Sequence, residues 1–230
     1  ALKCRAFVVK MNAALGALPN IASNHDNTYG SEERDDRMSD FRQLFQSSKM
    51  VLIASLPANR WELVQAAVEG GADAVKMHIN VAHRASGTQF GTLDENMDVL
   101  TRTVHGTSVP VGIVPGDAVE KVRKEDIVRL AQIGVGFVSL YAHHTPAWLL
   151  EERRLAKMIA VDGSYSNDRV SDLLHLDFDV LEASCVHPDQ YGKPLNTSDL
   201  AAYAGLSRLS SKPVVVPTQK RILPEDLGAL

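Results

Sequence analysis

The chain has 230 residues, 45% of them hydrophobic and 23% charged, with a formal net charge of -4 and a sequence pI near 6.1. That balance lacks the basic face that phosphate-backbone binding demands, so nucleic acid is not an expected partner. No apolar run nears the roughly 18 residues of a membrane span, so no membrane is expected either. The two cysteines, Cys4 and Cys185, stand far apart in apolar runs, a reduced usage that, with no basic-then-apolar leader in view, gives a cytoplasmic expectation.

Short Val- and Ile-rich runs recur along the whole chain. In order they are "RAFVV" near residue 5, "MVLIAS" from Met50, "DAVKMHI" from Asp73, "VPVGIVPG" from Val109, "GFVSLYA" from Gly136, "AKMIAV" from Ala156, "DVLEAS" from Asp179 and "PVVVPTQ" from Pro213. They are continuous apolar runs, which is the pattern of strands buried on both faces of a parallel sheet. Between them lie amphipathic stretches such as "NRWELVQAAVEGG", "LDENMDVLTRTVHG" and "RKEDIVRLAQIGVG", with acids early and Gly at the end, as helix termini prefer. "NTSD" from Asn196 reads as a helix cap and "LEERRLAK" as a solvated helix face. Eight strands alternating with helices predict an α/β fold, a (β/α)8 TIM barrel formed as a single domain by residues 1–230; a doubly wound open sheet is the alternative.

The chain ends add a further expectation. "LPEDLGAL" reads as a helix of about two turns that opens with Pro224, Glu225 and Asp226, and "ALKCRAFVVKMNAALGAL" opens with no helix before its strand. Joined end to end they give a helix, a strand and a loop, as in a circularly permuted barrel whose original termini meet in the polar, turn-rich segment at about 19–30. A merely truncated last helix is the other reading.

"KPVVVPTQKRILPEDLGAL" followed by "CRAFVVKMNAALG" resembles the end of the phosphate-binding barrels, the ribulose-phosphate-binding group that includes ribulose-phosphate epimerase, the orotidine-monophosphate decarboxylase group and N-acylmannosamine-6-phosphate 2-epimerase. "GGADAVKMHIN" is similar to the Lys-x-His strand end of the decarboxylase group. The resemblance implies a phosphate cup built from a strand, a loop and a helix start, and a small phosphorylated substrate.

Residues at the C-terminal ends of barrel strands face one mouth. Strand alternation puts Lys76, His78 and Asn80 on one side of "AVKMHIN" and Val75, Met77 and Ile79 on the other. A lysine withdrawn from water is a usable base or Schiff-base amine near neutral pH, and Glu182 in "DVLEAS" is its expected partner, either as second proton carrier or as the other half of a structural ion pair. His78 and His143 would orient and polarise the substrate. Of the neighbours His143 and His144, an extended chain would let only one reach the centre. Thr218, Gln219 and Lys220, with Asn12 and the amides of the "KMNAALG" turn, are expected to hold phosphate. Arg84 and Ser86 in "HRASGTQFG" form a second anion clamp or simply a lid, and Asp117 in "PGD" is a site residue or a cap.

These residues point to an isomerase, epimerase or lyase acting on a small phosphorylated sugar-like carbonyl compound. No cofactor is called for. A divalent metal held by His78, His143, His187 and Asp117 or Glu182 stays open, and with it a metal-dependent hydrolase; a non-catalytic ligand-binding barrel is the third reading. A homo-oligomer pairing through outer helices is compatible with the pattern.

Overall fold

The computed structural model describes residues 6–10, 36–46, 50–83 and 86–230, with residues 6–10 and 36–39 described through their backbone alone. The segment at about 19–30 and the junction of chain ends on which the permutation reading rests lie outside them.

All eight apolar runs are strands: β1 (Ala6–Lys10), β2 (Val51–Ser55), β3 (Ala74–His78), β6 (Val111–Val114), β7 (Phe137–Tyr141), β8 (Ala156–Val161), β9 (Val180–Ala183) and β10 (Val214–Pro217). The two remaining strands, β4 (Ala82–His83) and β5 (Thr88–Gln89), form a small antiparallel hairpin after β3. The α-helices among the described residues are α1 (Asp36–Leu44), α2 (Trp61–Glu69), α3 (Leu93–Gly106), α4 (Lys124–Ile133), α5 (Asn167–Leu174) and α6 (Thr197–Leu209). Their ends are set by local chemistry. Thr92 and Glu95 cap α3 reciprocally, Asn196 and Asp199 do the same for α6, and Gly134 ends α4 at φ 93°, a left-handed angle that costs a residue without Cβ little.

The expected regular (β/α)8 barrel is corrected on two counts. The strands whose side chains are described form by themselves an open seven-stranded parallel sheet, in the order β10-β9-β8-β7-β6-β3-β2. Only the backbone of β1 runs between its two edges, pairing with β10 over three residues and with β2 over five, which makes the strand order cyclic. Strand and helix also fail to alternate throughout. The β7–β8 crossover holds two 3-10 turns, Ala142–His144 and Ala147–Glu151, and β10 is followed by one more, Pro224–Asp226. "LEERRLAK" is therefore a turn leading into β8, where Arg154 closes back on Glu152 at 2.7 Å, and "LPEDLGAL" does not make a two-turn helix.

Helix α1 departs furthest from the expected pattern. Its Phe41 and Phe45 are buried with Val51, Ala74, Phe137, Ala156 and Val180, the first residues of five strands, and with Ile53, Met158 and Val215 one step further in. Phe41 stacks on Phe137 with ring centroids 3.8 Å apart, and Arg42 Nε pairs with Asp179 Oδ1, just before β9, at 2.7 Å. Helix α1 thus lies over the N-terminal end of the sheet and closes it with aromatic rings. Phe137 fits because β6 offers Gly112 beside it: a Cβ there would come within 2.2 Å of the Phe137 ring carbons. Outside the sheet, α2, α3 and α4 bury Val64, Leu100 and Ile127 against the outward residues of β2, β3, β6 and β7, while α5 and α6 bury Val170, Tyr203 and Leu206 against those of β8, β9 and β10.

Candidate functional site

Two residues further along the same strands the inward positions change character. Ala74 gives way to Lys76, Phe137 to Ser139 and Val180 to Glu182, and these three buried polar side chains meet across the interior. Lys76 Nζ lies 3.0 Å from Glu182 Oε2 and donates to Ser139 Oγ at 3.3 Å; Ser139 Oγ in turn donates to Glu182 Oε2 at 3.3 Å. The other carboxylate oxygen accepts from Ser184 Oγ at 3.3 Å. Lys76 and Glu182 are 5% and 6% exposed, which decides that this is a buried ion pair whose desolvation only close, multiply bonded geometry offsets.

Two residues further still come His78, Tyr141 and Ser184, which line one space with Ser55 at the end of β2. Above them opens a cavity of about 790 Å³, whose wall also includes His83, Asp117, His143, His144, Asp162, Cys185, His187 and Tyr191. A volume of that order suits a small-molecule ligand. His78 is held by its backbone: Asn59 Oδ1 accepts from the His78 amide at 3.2 Å and Asn59 Nδ2 donates to its carbonyl at 2.6 Å, as a neighbouring strand would. Its ring clusters with those of His83 and Phe90, with centroids at 4.6 and 4.7 Å and those two rings 5.9 Å from each other. Strand β3 then turns sharply at Asn80, whose φ of 54° Asn tolerates better than most residues and whose side-chain amide donates to the Pro115 carbonyl at 3.3 Å.

The 3-10 turn after β7 corrects the expectation for the paired histidines. Because Ala142–His144 is not extended, both His143 and His144 line the cavity. Their rings are 4.2 Å apart, with Tyr141 stacked 5.3 Å from His143. His143 Nδ1 stands 3.8 Å from Asp162. Burial, and then the neighbouring His143, hold the His144 imidazole below its ordinary pKa. Burial raises the Asp162 carboxyl, but bonds from the Ser164 hydroxyl and amide, aided by His143 and Arg169, outweigh it and leave the group below the ordinary range. Tyr141 is pushed well above the usual phenol range, first by burial and then by the Glu182 charge; the Ser184 hydroxyl acts the other way.

Of the predicted residues, the structure gathers Lys76, His78, His143, Asp117 and Glu182 around one cavity. Asp117 also has structural work: Oδ2 accepts from the Ala82 amide at 2.9 Å, anchoring the β4–β5 hairpin, and Oδ1 pairs with Lys121. The residues expected to hold phosphate are arranged differently. Gln219 is buried, with Oε1 accepting from the Val186 amide at 3.2 Å and Nε2 donating to the Ser184 carbonyl at 3.3 Å and the Tyr191 hydroxyl at 2.8 Å. Lys220 is buried against Asp199, at 3.0 Å. Neither they nor Thr218 belong to the cavity wall; Gln219 fastens the loop that presents Ser184, Cys185 and Tyr191, and Lys220 ties the same segment to the start of α6. Ser86 is outside the wall as well, bonded to His83 Nδ1 at 2.7 Å and donating to Thr88 at 2.9 Å. Asn12 and Arg84 lie outside the described residues.

Sequence reasoning places Asn59, Tyr141 and Ser184 at strand ends facing the mouth but gives them no role, and it misses Ser139 altogether. The signal was there for three of them, since Ser139, Tyr141 and Ser184 sit at period two with Phe137 and Glu182. Among the described residues no three His, Cys, Asp or Glu side chains converge closely enough to hold a metal ion. No protein-family model matches the chain and no curated protein is significantly similar to it, so the chemistry of the cavity rests on its own residues.

Proposed function

We propose that the protein is an isomerase, epimerase or lyase that moves protons at the carbon next to the carbonyl of a small sugar-like compound, phosphorylated or free, with Lys76 and Glu182 as its central pair. One observation carries this reading: a lysine and a carboxylate in 3.0 Å contact, both nearly dry, at the floor of a cavity walled by imidazoles. A buried ion pair is a poor source of stability, because apolar side chains of similar volume pack as well or better. The same strands fill the adjacent layer with such side chains. A lysine and a carboxylate in contact in a water-poor site supply the two proton carriers that abstraction at one atom and delivery at another require. His78 and His143 face the same space and are placed to orient hydroxyl and carbonyl oxygens.

The test is solvent deuterium incorporation, followed by NMR, across a panel of short aldoses and ketoses and their phosphates. Exchange at the carbon beside the carbonyl of at least one compound is expected, with Lys76→Met lowering its rate by about a thousandfold or more, since the pair acts as a unit. Ligand-induced thermal stabilisation without exchange for any compound would transfer the protein to the non-catalytic binding class.

A further inference from the structure

We propose that Tyr141 is a further catalytic residue, the proton donor to the substrate's carbonyl oxygen, while Lys76 takes the carbonyl carbon as an imine. This rests on the reading of Lys76 and Glu182 given above and adds the covalent step and the proton's path. Tyr141 stands two residues beyond Ser139 at the end of β7, Ser184 stands two beyond Glu182 just past the end of β9, and both line the cavity with the ion pair. Ser184 Oγ donates to Glu182 Oε1 at 3.3 Å, and Ser184 and Tyr141 line the same cavity. A bonded line runs from Lys76 Nζ through Glu182 to Ser184, and Tyr141 faces the cavity beside it. The stacked His143 ring, 5.3 Å away, fixes the phenol's plane. Burial and the Glu182 charge keep the phenol protonated through the physiological range, as a donor must be.

The steps balance. The Lys76 ammonium passes a proton to Glu182, and the free amine adds to the carbonyl carbon, so the N–C bond forms as the C=O π bond breaks. The nitrogen then gives up a proton to the oxygen, leaving a neutral carbinolamine. Tyr141 donates its proton to the carbinolamine hydroxyl, the C–O bond breaks, and water leaves. The nitrogen lone pair completes a cationic iminium and the tyrosine is left as phenolate. Ser184 relays the proton held on Glu182 to that phenolate. An ammonium and a carbonyl compound have become an iminium and water, with the charge on Glu182 restored beside the new cation.

Borohydride reduction during incubation with dihydroxyacetone or glycolaldehyde, free and phosphorylated, reads the step directly as a reduced adduct on Lys76 by peptide mass analysis. The wild-type protein is expected to trap an adduct, and Tyr141→Phe to trap it about a hundredfold more slowly while keeping its melting temperature, because the ring remains stacked. Ser184→Ala breaks the line without touching the ring and is expected to slow trapping as well. Trapping by Tyr141→Phe at the wild-type rate would overturn the role of Tyr141. Deuterium exchange by the wild-type protein with no adduct on Lys76 would overturn the imine while leaving the proposed function standing. Absence of exchange and adduct alike would remove both.

Discussion

The two ends of the sheet interior are built from the same strands and do opposite things. At the N-terminal end the inward residues Val51, Ala74, Phe137, Ala156 and Val180 are apolar, and α1 seals them with Phe41 and Phe45. Two positions on, Lys76, Ser139 and Glu182 replace Ala74, Phe137 and Val180, and the next step brings His78, Tyr141 and Ser184. The lower layer supplies burial and the upper layers supply charge and proton donors. The difference teaches that stability and chemistry are separated here by about 7 Å of strand, two residues at the usual rise.

Substitutions in each layer sharpen or break that contrast. The largest stability loss is expected from Glu182→Ala, which leaves the Lys76 ammonium buried without its counter-charge and should cost about 3–5 kcal/mol in urea unfolding. Phe137→Ala should cost a comparable amount, about 3–5 kcal/mol, through the cavity left against Phe41, yet leave ligand binding at the opposite end nearly intact. Replacing the pair together, Lys76→Met with Glu182→Leu, should change stability by far less than Glu182→Ala alone while abolishing deuterium exchange; a double variant as unstable as the single one would break the division of labour. Gln219→Ala removes the acceptor of the buried Val186 amide and should cost about 1–3 kcal/mol, read by the same unfolding curve.

The smallest effect concerns pH. The Asp117, Asp162 and Glu152 carboxyls are all held below their ordinary values. For Asp117 burial works upward and is outweighed by Lys121 and the Ala82 amide; for Glu152 the Arg154 guanidinium is the main cause. A depressed carboxyl contributes stability that is fully present above its unfolded pKa, near pH 4, and is lost as pH falls through the folded one. Melting temperature should therefore drop on acidification below about pH 4, and less steeply in Glu152→Gln. An unchanged slope in that variant would remove Glu152 from the acid response.

The strands were legible because burial on both faces imposes continuous apolar runs, and the Lys76–Glu182 pair because alternation puts both on the inner face. Helix α3 matched its expected span, Leu93–Gly106, since Thr92 and Glu95 mark its start in the sequence itself. What escaped depended on distance in sequence. Nothing local shows that Phe41 stacks on Phe137, nearly a hundred positions away, or that Gln219 bonds three groups on another loop. The paired histidines were misjudged because a 3-10 turn and an extended segment look alike in a stretch as short as "YAHHTP". Lys220 looked like an anion ligand because its charge is visible in the sequence, while its pairing with Asp199 at the start of α6 is not.

The aromatic seal made by α1 has a kinetic meaning. It leaves the cavity a dead end, so a molecule that comes in past His143 and His144 has to go out by the same route. Occupant and newcomer then exclude each other, so two ligands of the cavity should compete for it in binding.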